Sequence, residues 1–224
     1  MDFMIGCNYW ASNAGTEMWV NWDEKVIRDD LNILSQNGVE YMRVFPNWRD
    51  FQPVVKMYGG GGDFKEYRLK KDSAASNPYF LDDEMLNRFD KFCDICREYG
   101  IKLIVSLLTG WMSGRLFIPE ALNDKNLFTD PAALMFEQKF IKGFVLRFKD
   151  KENIYAWNLG NECNCMSKIP KLAGVTDCDI STNWTYIITN AIKAADAKRP
   201  IMSGMANLGP ERAKTLWNLQ EHAE

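Results

Sequence analysis

Short apolar runs alternate with longer amphipathic stretches along the chain. The apolar runs predict five β-strands, at residues 3–8, 39–45, 101–108, 154–160 and 200–205. Between them, apolar residues recur at helical spacing, and four such stretches begin with a residue that can cap a helix: Asp23, Asp82, Asp130 and Ser181. A last helix is predicted at 210–220. This repeated strand–helix alternation predicts an α/β fold with a parallel sheet and, at these spacings, a (β/α)8 TIM barrel.

The segment 46–80 interrupts the alternation. It is glycine-rich, with four consecutive glycines at 59–62, and we interpret it as a long irregular loop within a single domain spanning residues 1–224. Loops of this length in compact domains are usually functional or disordered. The sequence leaves open whether its aromatic side chains stack on sugar rings or pack on one another. These side chains are Trp48, Phe51, Tyr58, Phe64, Tyr67 and Tyr79.

The stretch from Asn153 to Cys165 carries the clearest chemical signal in the chain. An apolar, aromatic-rich strand ends at Gly160, and an Asn–Glu pair follows at once. Parallel strands present catalytic groups at their C-terminal ends in barrels, so Asn161 and Glu162 lie where catalytic groups are expected. Glu162 is therefore the candidate proton donor. The alternative is a glutamate that only caps the following turn.

The pattern W-x-L-x-N-E, formed by Trp157, Leu159, Asn161 and Glu162, resembles the fourth-strand signature of clan A glycoside hydrolases. It is most similar to glycoside hydrolase family 5, which includes cellulases and mannanases. The resemblance implies a retaining O-glycosyl hydrolase (EC 3.2.1 class) that cleaves β-linked poly- or oligosaccharides, mannanase-like or glucanase-like. In that case Glu162 is the general acid/base, and Asn161 hydrogen-bonds the 2-hydroxyl of the sugar.

Arg43 lies in the otherwise apolar second strand, V-E-Y-M-R-V-F. A buried guanidinium needs a carboxylate partner to offset its desolvation. That partner is either a carboxylate in a structural ion pair or, as the resemblance implies, the nucleophilic carboxylate of the enzyme.

Three tryptophans are candidate substrate-binding residues. Trp10 ends the first strand, Trp48 follows the second, and Trp111 follows the third in L-L-T-G-W. Family 5 cellulases often carry a histidine near the end of strand three, which is absent from this segment. The departure makes the chain more similar to mannanase-like branches, where a tryptophan stands nearby.

A complete (β/α)8 barrel typically takes about 250 residues. By resemblance, this chain holds about the first five β/α units and is the N-terminal portion of a longer enzyme. The nucleophile expected on strand seven cannot be assigned, so the 224 residues alone are expected to be inactive. The open edges of strands one and five are expected to promote self-association. The alternative is a non-catalytic carbohydrate-binding or truncated barrel protein.

Composition and charge limit the kinds of binding partner that this chain is expected to have. The formal net charge is −3, and the 27 basic residues form no long run, so neither a nucleic-acid nor a membrane partner is predicted. The N-terminus has no signal-peptide pattern. We therefore expect a cytoplasmic location, with secretion of a longer parent left open.

The six cysteines are scattered, which is not the pattern of a disulfide scaffold. Cys93 and Cys96 share one face of a predicted helix, where core packing is favoured over a zinc or redox role. His222 is the single histidine and is expected at the surface. The sequence predicts no metal site and no cofactor.

Overall fold

A computed structural model of the protein describes residues 4–70, 77–169 and 178–206. In chain order the strands are β1 (Gly6–Asn8), β2 (Tyr41–Val44), β3 (Val54–Tyr58), β4 (Phe64–Leu69), β5 (Lys102–Leu108), β6 (Trp111–Met112), β7 (Arg115–Leu116), β8 (Ile154–Gly160) and β9 (Ile201–Met202). The α-helices are α1 (Glu24–Gln36), α2 (Trp48–Phe51), α3 (Asp83–Glu98), α4 (Pro131–Phe148) and α5 (Cys178–Ala195).

The five predicted strands form one parallel sheet in the order β1-β2-β5-β8-β9. Each strand therefore lies beside the next sheet strand along the chain. This order, with a helix in each connection, is that of consecutive units of a β/α barrel. The α/β prediction is confirmed, although several strands are shorter than predicted, as in β9, which spans Ile201–Met202.

Helix starts follow the predicted caps in three of four cases. The carboxylates of Asp23, Asp82 and Asp130 each accept a backbone N–H bond in the first turn of α1, α3 and α4. The fourth prediction is wrong, because α5 begins at Cys178 and Ser181 lies fully buried inside its first turn. The helix predicted at 210–220 and His222 lie outside the described residues. Within the described ranges, no helix is long and apolar enough to cross a membrane.

The core between the sheet and the helices is rich in aromatic rings. Phe89, Phe144 and Phe148 lie with ring centroids 4.8 Å apart in each pair, close enough for edge-to-face contacts that add to their burial. Cys93 and Cys96 are fully buried beside them on α3, and burial raises the pKa of both thiols. The interpretation of these cysteines as core residues is confirmed.

The segment after β2 is more ordered than the sequence suggested. It contains the short helix α2 and an antiparallel hairpin, β3–β4, whose turn includes Gly62 with a φ of +84°. Phe51 is fully buried, and the ring of Tyr67 lies 4.9 Å from that of Phe136. For these two aromatics, packing within the protein is the better interpretation. The expectation of a long irregular loop is wrong, because the glycines mark a hairpin turn.

Candidate active site

The carboxyl ends of the parallel strands bring most of the predicted site residues to one edge of the sheet. Trp10 follows β1, Arg43 lies in β2, Trp111 follows β5, and Asn161 and Glu162 follow β8. Because all these strands run in the same direction, residues far apart in the chain meet at this edge.

Arg43 is held by neutral oxygens. Its Nε and Nη2 donate to Asn158 Oδ1 at 3.2 and 2.8 Å, and its Nη1 donates to Asn161 Oδ1 at 3.0 Å. Its Nη2 also donates to Ser106 Oγ at 3.0 Å and to the Gly160 carbonyl at 3.1 Å. Burial lowers the pKa of Arg43 from its usual value. No carboxylate among the described residues lies within ion-pair distance of it, so the expected structural ion pair is not found there.

Asn158 was not singled out from the sequence, yet its side chain is central to this network. It is almost completely buried. Its Oδ1 accepts from Arg43 and, at 2.7 Å, from the Ser106 hydroxyl, while its Nδ2 donates to the Met202 carbonyl at 3.0 Å. Ser106 and Asn158 face each other in the β5–β8 register. A single polar residue inside each of two neighbouring apolar strands was the signal that could have revealed the pair.

Asn161 joins Arg43 to the loop after β5. Its Oδ1 accepts from Arg43, and its Nδ2 donates to the Trp111 carbonyl at 2.9 Å and lies 3.7 Å from Met112 Sδ. The two amide hydrogens are therefore directed into the protein. A further partner would have to donate to Oδ1, which has a second lone pair.

Glu162 has left-handed backbone angles, with φ of 49° and ψ of 40°, a region that non-glycine residues seldom adopt outside functional or strained positions. Two hydrogen bonds hold this conformation. Its N–H donates to the Gly204 carbonyl at 2.9 Å, and its carbonyl accepts from the Cys165 N–H at 2.7 Å. The Glu162 side chain is partly exposed at the strand ends.

Gly204 fits closely against this network. It has a φ of +69°, and a Cβ atom at this position would overlap the Gly160 carbonyl oxygen and the Asn158 side-chain amide. A glycine is therefore required where the chain leaving β9 passes β8.

The three candidate tryptophans have different environments. Trp10 is partly exposed and stacks on Phe45 at 5.1 Å, and the guanidinium carbon of Arg43 lies 4.7 Å from the same Phe45 ring. Trp111 is also partly exposed. Trp48, in contrast, is fully buried, and its indole N–H donates to Gln52 Oε1 at 2.8 Å.

The substrate-binding prediction for Trp48 is therefore corrected. A ring with no exposed face cannot stack on a sugar, and further barrel strands would not expose it. Trp48 is a core residue of α2.

Curated relatives of this chain include fungal proteins named as mannan endo-1,4-beta-mannosidases. Mannan endo-1,4-beta-mannosidase F of Aspergillus clavatus is 24% identical over 180 residues, which are 79% of this chain and 38% of that protein. A probable mannan endo-1,4-beta-mannosidase A of Aspergillus flavus is 23% identical over 217 residues, covering 93% of this chain and 52% of the relative. The chain thus spans about half the length of these relatives, or less.

Solved structures show the same architecture. The exo-beta-1,4-mannosidase Op5Man5 from Opitutaceae bacterium strain TAV5 superposes with a TM-score of 0.74 at 27% identity, over 91% of this chain and 32% of that one. GH5_18 from Streptomyces cattleya, in complex with GlcNAc, superposes with a TM-score of 0.74 at 22% identity, over 89% of this chain and 44% of that one. The five-stranded sheet is therefore the fold of part of a TIM barrel.

A family model leads to the same conclusion as these relatives. The model described as Cellulase (glycosyl hydrolase family 5) matches residues 10–222. That match covers nearly the whole chain, and the chain therefore belongs to glycosyl hydrolase family 5.

Proposed function

We propose that this chain carries the acid/base half of a retaining β-glycosidase that acts on β-linked, mannose-containing poly- or oligosaccharides. The observation that carries the proposal is the position of Glu162. Its carboxyl group stands at the C-terminal end of β8, on a left-handed backbone fixed by Gly204 and Cys165. The substrate class rests on relatives named as mannan endo-1,4-beta-mannosidases and on the exo-beta-1,4-mannosidase Op5Man5.

In the proposed reaction Glu162 works in two steps. It first gives its proton to the glycosidic oxygen, while a second carboxylate attacks the anomeric carbon; the glycosidic bond breaks, the alcohol leaves, and a covalent glycosyl intermediate forms. The deprotonated Glu162 then takes a proton from a water molecule whose oxygen attacks the anomeric carbon. This attack breaks the bond to the second carboxylate and releases the sugar with its β configuration. Such a mechanism needs the two carboxyl groups about 5–5.5 Å apart. By resemblance to family 5, the second one is expected on a seventh barrel strand.

The other residues at the strand ends have supporting roles in this proposal. The Asn161 Oδ1 accepts a hydrogen bond from the sugar 2-hydroxyl, because the amide hydrogens already have partners inside the protein. The positive charge of Arg43 favours the ionised form of the nucleophilic carboxylate. Trp10 and Trp111, both partly exposed, offer apolar surface to the sugar rings.

Substitution of Glu162 by glutamine tests the proposal, in the intact protein with its natural flanking sequence. The change removes the transferable proton and keeps the shape, so hydrolysis of β-mannan should fall by roughly 10²–10⁴. Aryl β-mannosides with good leaving groups should lose much less in the first step, and the covalent intermediate should accumulate. Azide, which needs no general base, should then restore turnover and give a β-glycosyl azide, detected by mass spectrometry and NMR.

Glu152→Gln is the matched control, since Glu152 is exposed in the turn before the same strand, and it should leave all rates unchanged. Mannan hydrolysis by Glu162→Gln at the wild-type rate would refute the acid/base role. Saccharide binding without turnover by the wild type would support the alternative, a non-catalytic carbohydrate-binding protein.

We also propose that the 224 residues by themselves associate through the open edges of the sheet. β1 and β9 each have one neighbour in the five-stranded sheet. Met4, Ile5 and Met202, in or beside these strands, are 53%, 49% and 43% exposed. Unpaired backbone groups next to exposed apolar side chains favour pairing with another chain.

A further inference from the structure

We propose that Asn158 is a positioning residue, whose side-chain amide fixes the guanidinium of Arg43 while leaving its positive charge uncompensated. This inference rests on the proposed function and adds a residue to it. Asn158 does not touch the substrate in this scheme and acts only through Arg43 and the backbone that carries Glu162.

The first support is the convergence of donors on one oxygen. Asn158 Oδ1 receives Arg43 Nε at 3.2 Å, Arg43 Nη2 at 2.8 Å and Ser106 Oγ at 2.7 Å. Two bonds from one guanidinium to a single buried oxygen fix both the plane and the rotation of the group. The orientation of Arg43 is thus set by β8 and does not depend on a bound ligand.

The second support is the charge of the partners. Asn158, Asn161, Ser106 and the Gly160 carbonyl supply hydrogen bonds that offset the desolvation of Arg43, yet none of them is ionised. The titratable groups that act on Arg43 from the described residues are Glu162 and the Cys163 thiol. A guanidinium has five N–H donors, and Nη1 has a single partner in the described part of the chain. The second N–H of Arg43 Nη1 is therefore left for an acceptor in the cleft, and the positive charge of the guanidinium acts on that acceptor.

The third support links Asn158 to Glu162. Asn158 Nδ2 donates to the Met202 carbonyl, and the chain then turns through Gly204, whose carbonyl accepts from the Glu162 N–H. One buried amide therefore sets the position of Arg43 on one side and of the backbone that supports Glu162 on the other. The relative placement of Arg43 and Glu162 therefore depends on both ends of this one amide.

Asn158→Asp in the intact protein tests the electrostatic part. The aspartate has nearly the same shape, pairs with Arg43 and compensates its charge, while it gives up the bond to the Met202 carbonyl, because a carboxylate cannot donate. The ionised nucleophile then loses stabilisation, its pKa rises, and the acidic limb of the kcat/KM profile should move to higher pH by about one unit. Asn153→Asp is the matched control, because Asn153 is also a buried asparagine, bonded to the Cys93 carbonyl at 2.8 Å near the start of the same strand. It should leave the limb in place.

A double-mutant cycle on thermal stability tests the Asn158–Arg43 contact itself and needs no activity assay. Arg43→Met and Asn158→Ser each remove the contact, so the loss in Tm of the double variant should be smaller than the sum of the single losses by about 2–4 °C. Additive losses would overturn the inference, and so would an active Asn158→Asp enzyme with an unshifted acidic limb. If the losses in Tm are non-additive but the wild-type protein hydrolyses no saccharide, the proposed function is refuted and the Asn158–Arg43 contact is still supported.

Discussion

At the scale of single residues, burial separates side chains that look equivalent in the sequence. Trp48 and Trp111 both follow an apolar strand and both suggest a sugar platform. In the structure Trp48 has no exposed surface, whereas Trp111 is partly exposed beside Asn161, which bonds to its carbonyl. The same residue type is thus fully buried after one strand and partly exposed after another.

Alanine substitutions of these two tryptophans should therefore affect different properties, stability for Trp48 and substrate binding for Trp111. Trp48→Ala should lower the free energy of unfolding by about 3–5 kcal/mol, the usual cost of removing a large buried aromatic side chain. Trp111→Ala should reduce stability much less and raise KM for β-mannan by roughly 3- to 10-fold. Urea denaturation and steady-state kinetics of the intact protein measure both quantities. A large loss of stability in Trp111→Ala with unchanged KM would make Trp111 a structural residue.

At the scale of elements, a charged cluster ties the end of α5 to β8. Asp196 accepts from the Trp157 indole N–H at 2.9 Å and from Arg199 at 2.7 Å. Arg199 also donates to the carbonyls of Ile154 and Lys151. Burial acts to raise the pKa of Asp196, but the bonds from Trp157 and Arg199 outweigh it and hold the pKa at about 2. The ionised carboxylate thus stabilises the junction between helix and sheet.

This depressed pKa predicts a pH-dependent contribution to stability. An aspartate titrates near 3.9 in the unfolded chain, so its contribution is fully present above about pH 4 and is lost as the pH falls through about 2. Asp196→Asn should lower the free energy of unfolding by about 2 kcal/mol at pH 7, and the difference from wild type should disappear towards pH 2. Urea titrations across this pH range measure it. The exposed Asp150→Asn is the control, and a difference that is constant with pH would contradict the role of the charge.

At the scale of the whole molecule, the described residues present the proposed acid/base residue, Glu162, on a five-stranded sheet. The proposed mechanism needs a second carboxylate close to Glu162. By resemblance to family 5 it is expected on a seventh strand, whereas the sheet of the described residues has five. The expected lack of turnover and the expected self-association therefore have the same cause. In the described residues the outer strands β1 and β9 each lack a second neighbour, which leaves the sheet without its remaining strands.

The 224 residues expressed alone should therefore hydrolyse neither β-mannan nor aryl β-mannosides, and they should sediment as a dimer or larger species. The intact protein with its flanking sequence should be active under the same conditions. Analytical ultracentrifugation and a reducing-sugar assay on both samples make the comparison. Turnover by the 224 residues alone would place the nucleophile within them, and a stable monomer would contradict association through the sheet edges.

Local patterns in the sequence were sufficient for the order of elements and for part of the site. Apolar runs and capping aspartates depend on neighbours within a few residues, which is why the five strands and the starts of α1, α3 and α4 follow from them. The Asn161–Glu162 pair at the end of an apolar strand is a signal of the same local kind. The hairpin β3–β4 was missed because its glycines were interpreted as loop, not as a turn between two strands.

Contacts between distant segments were decided only by the tertiary structure. Arg43 and Asn158 are 115 positions apart, and nothing near either residue in the chain indicates that they meet. The burial of Trp48 and the left-handed backbone of Glu162 also depend on elements remote in sequence. The sequence by itself therefore determined a parallel β/α chain with an acidic residue at a strand end. The packing of the strands side by side decided which polar groups surround that residue, because register and burial arise from long-range contacts.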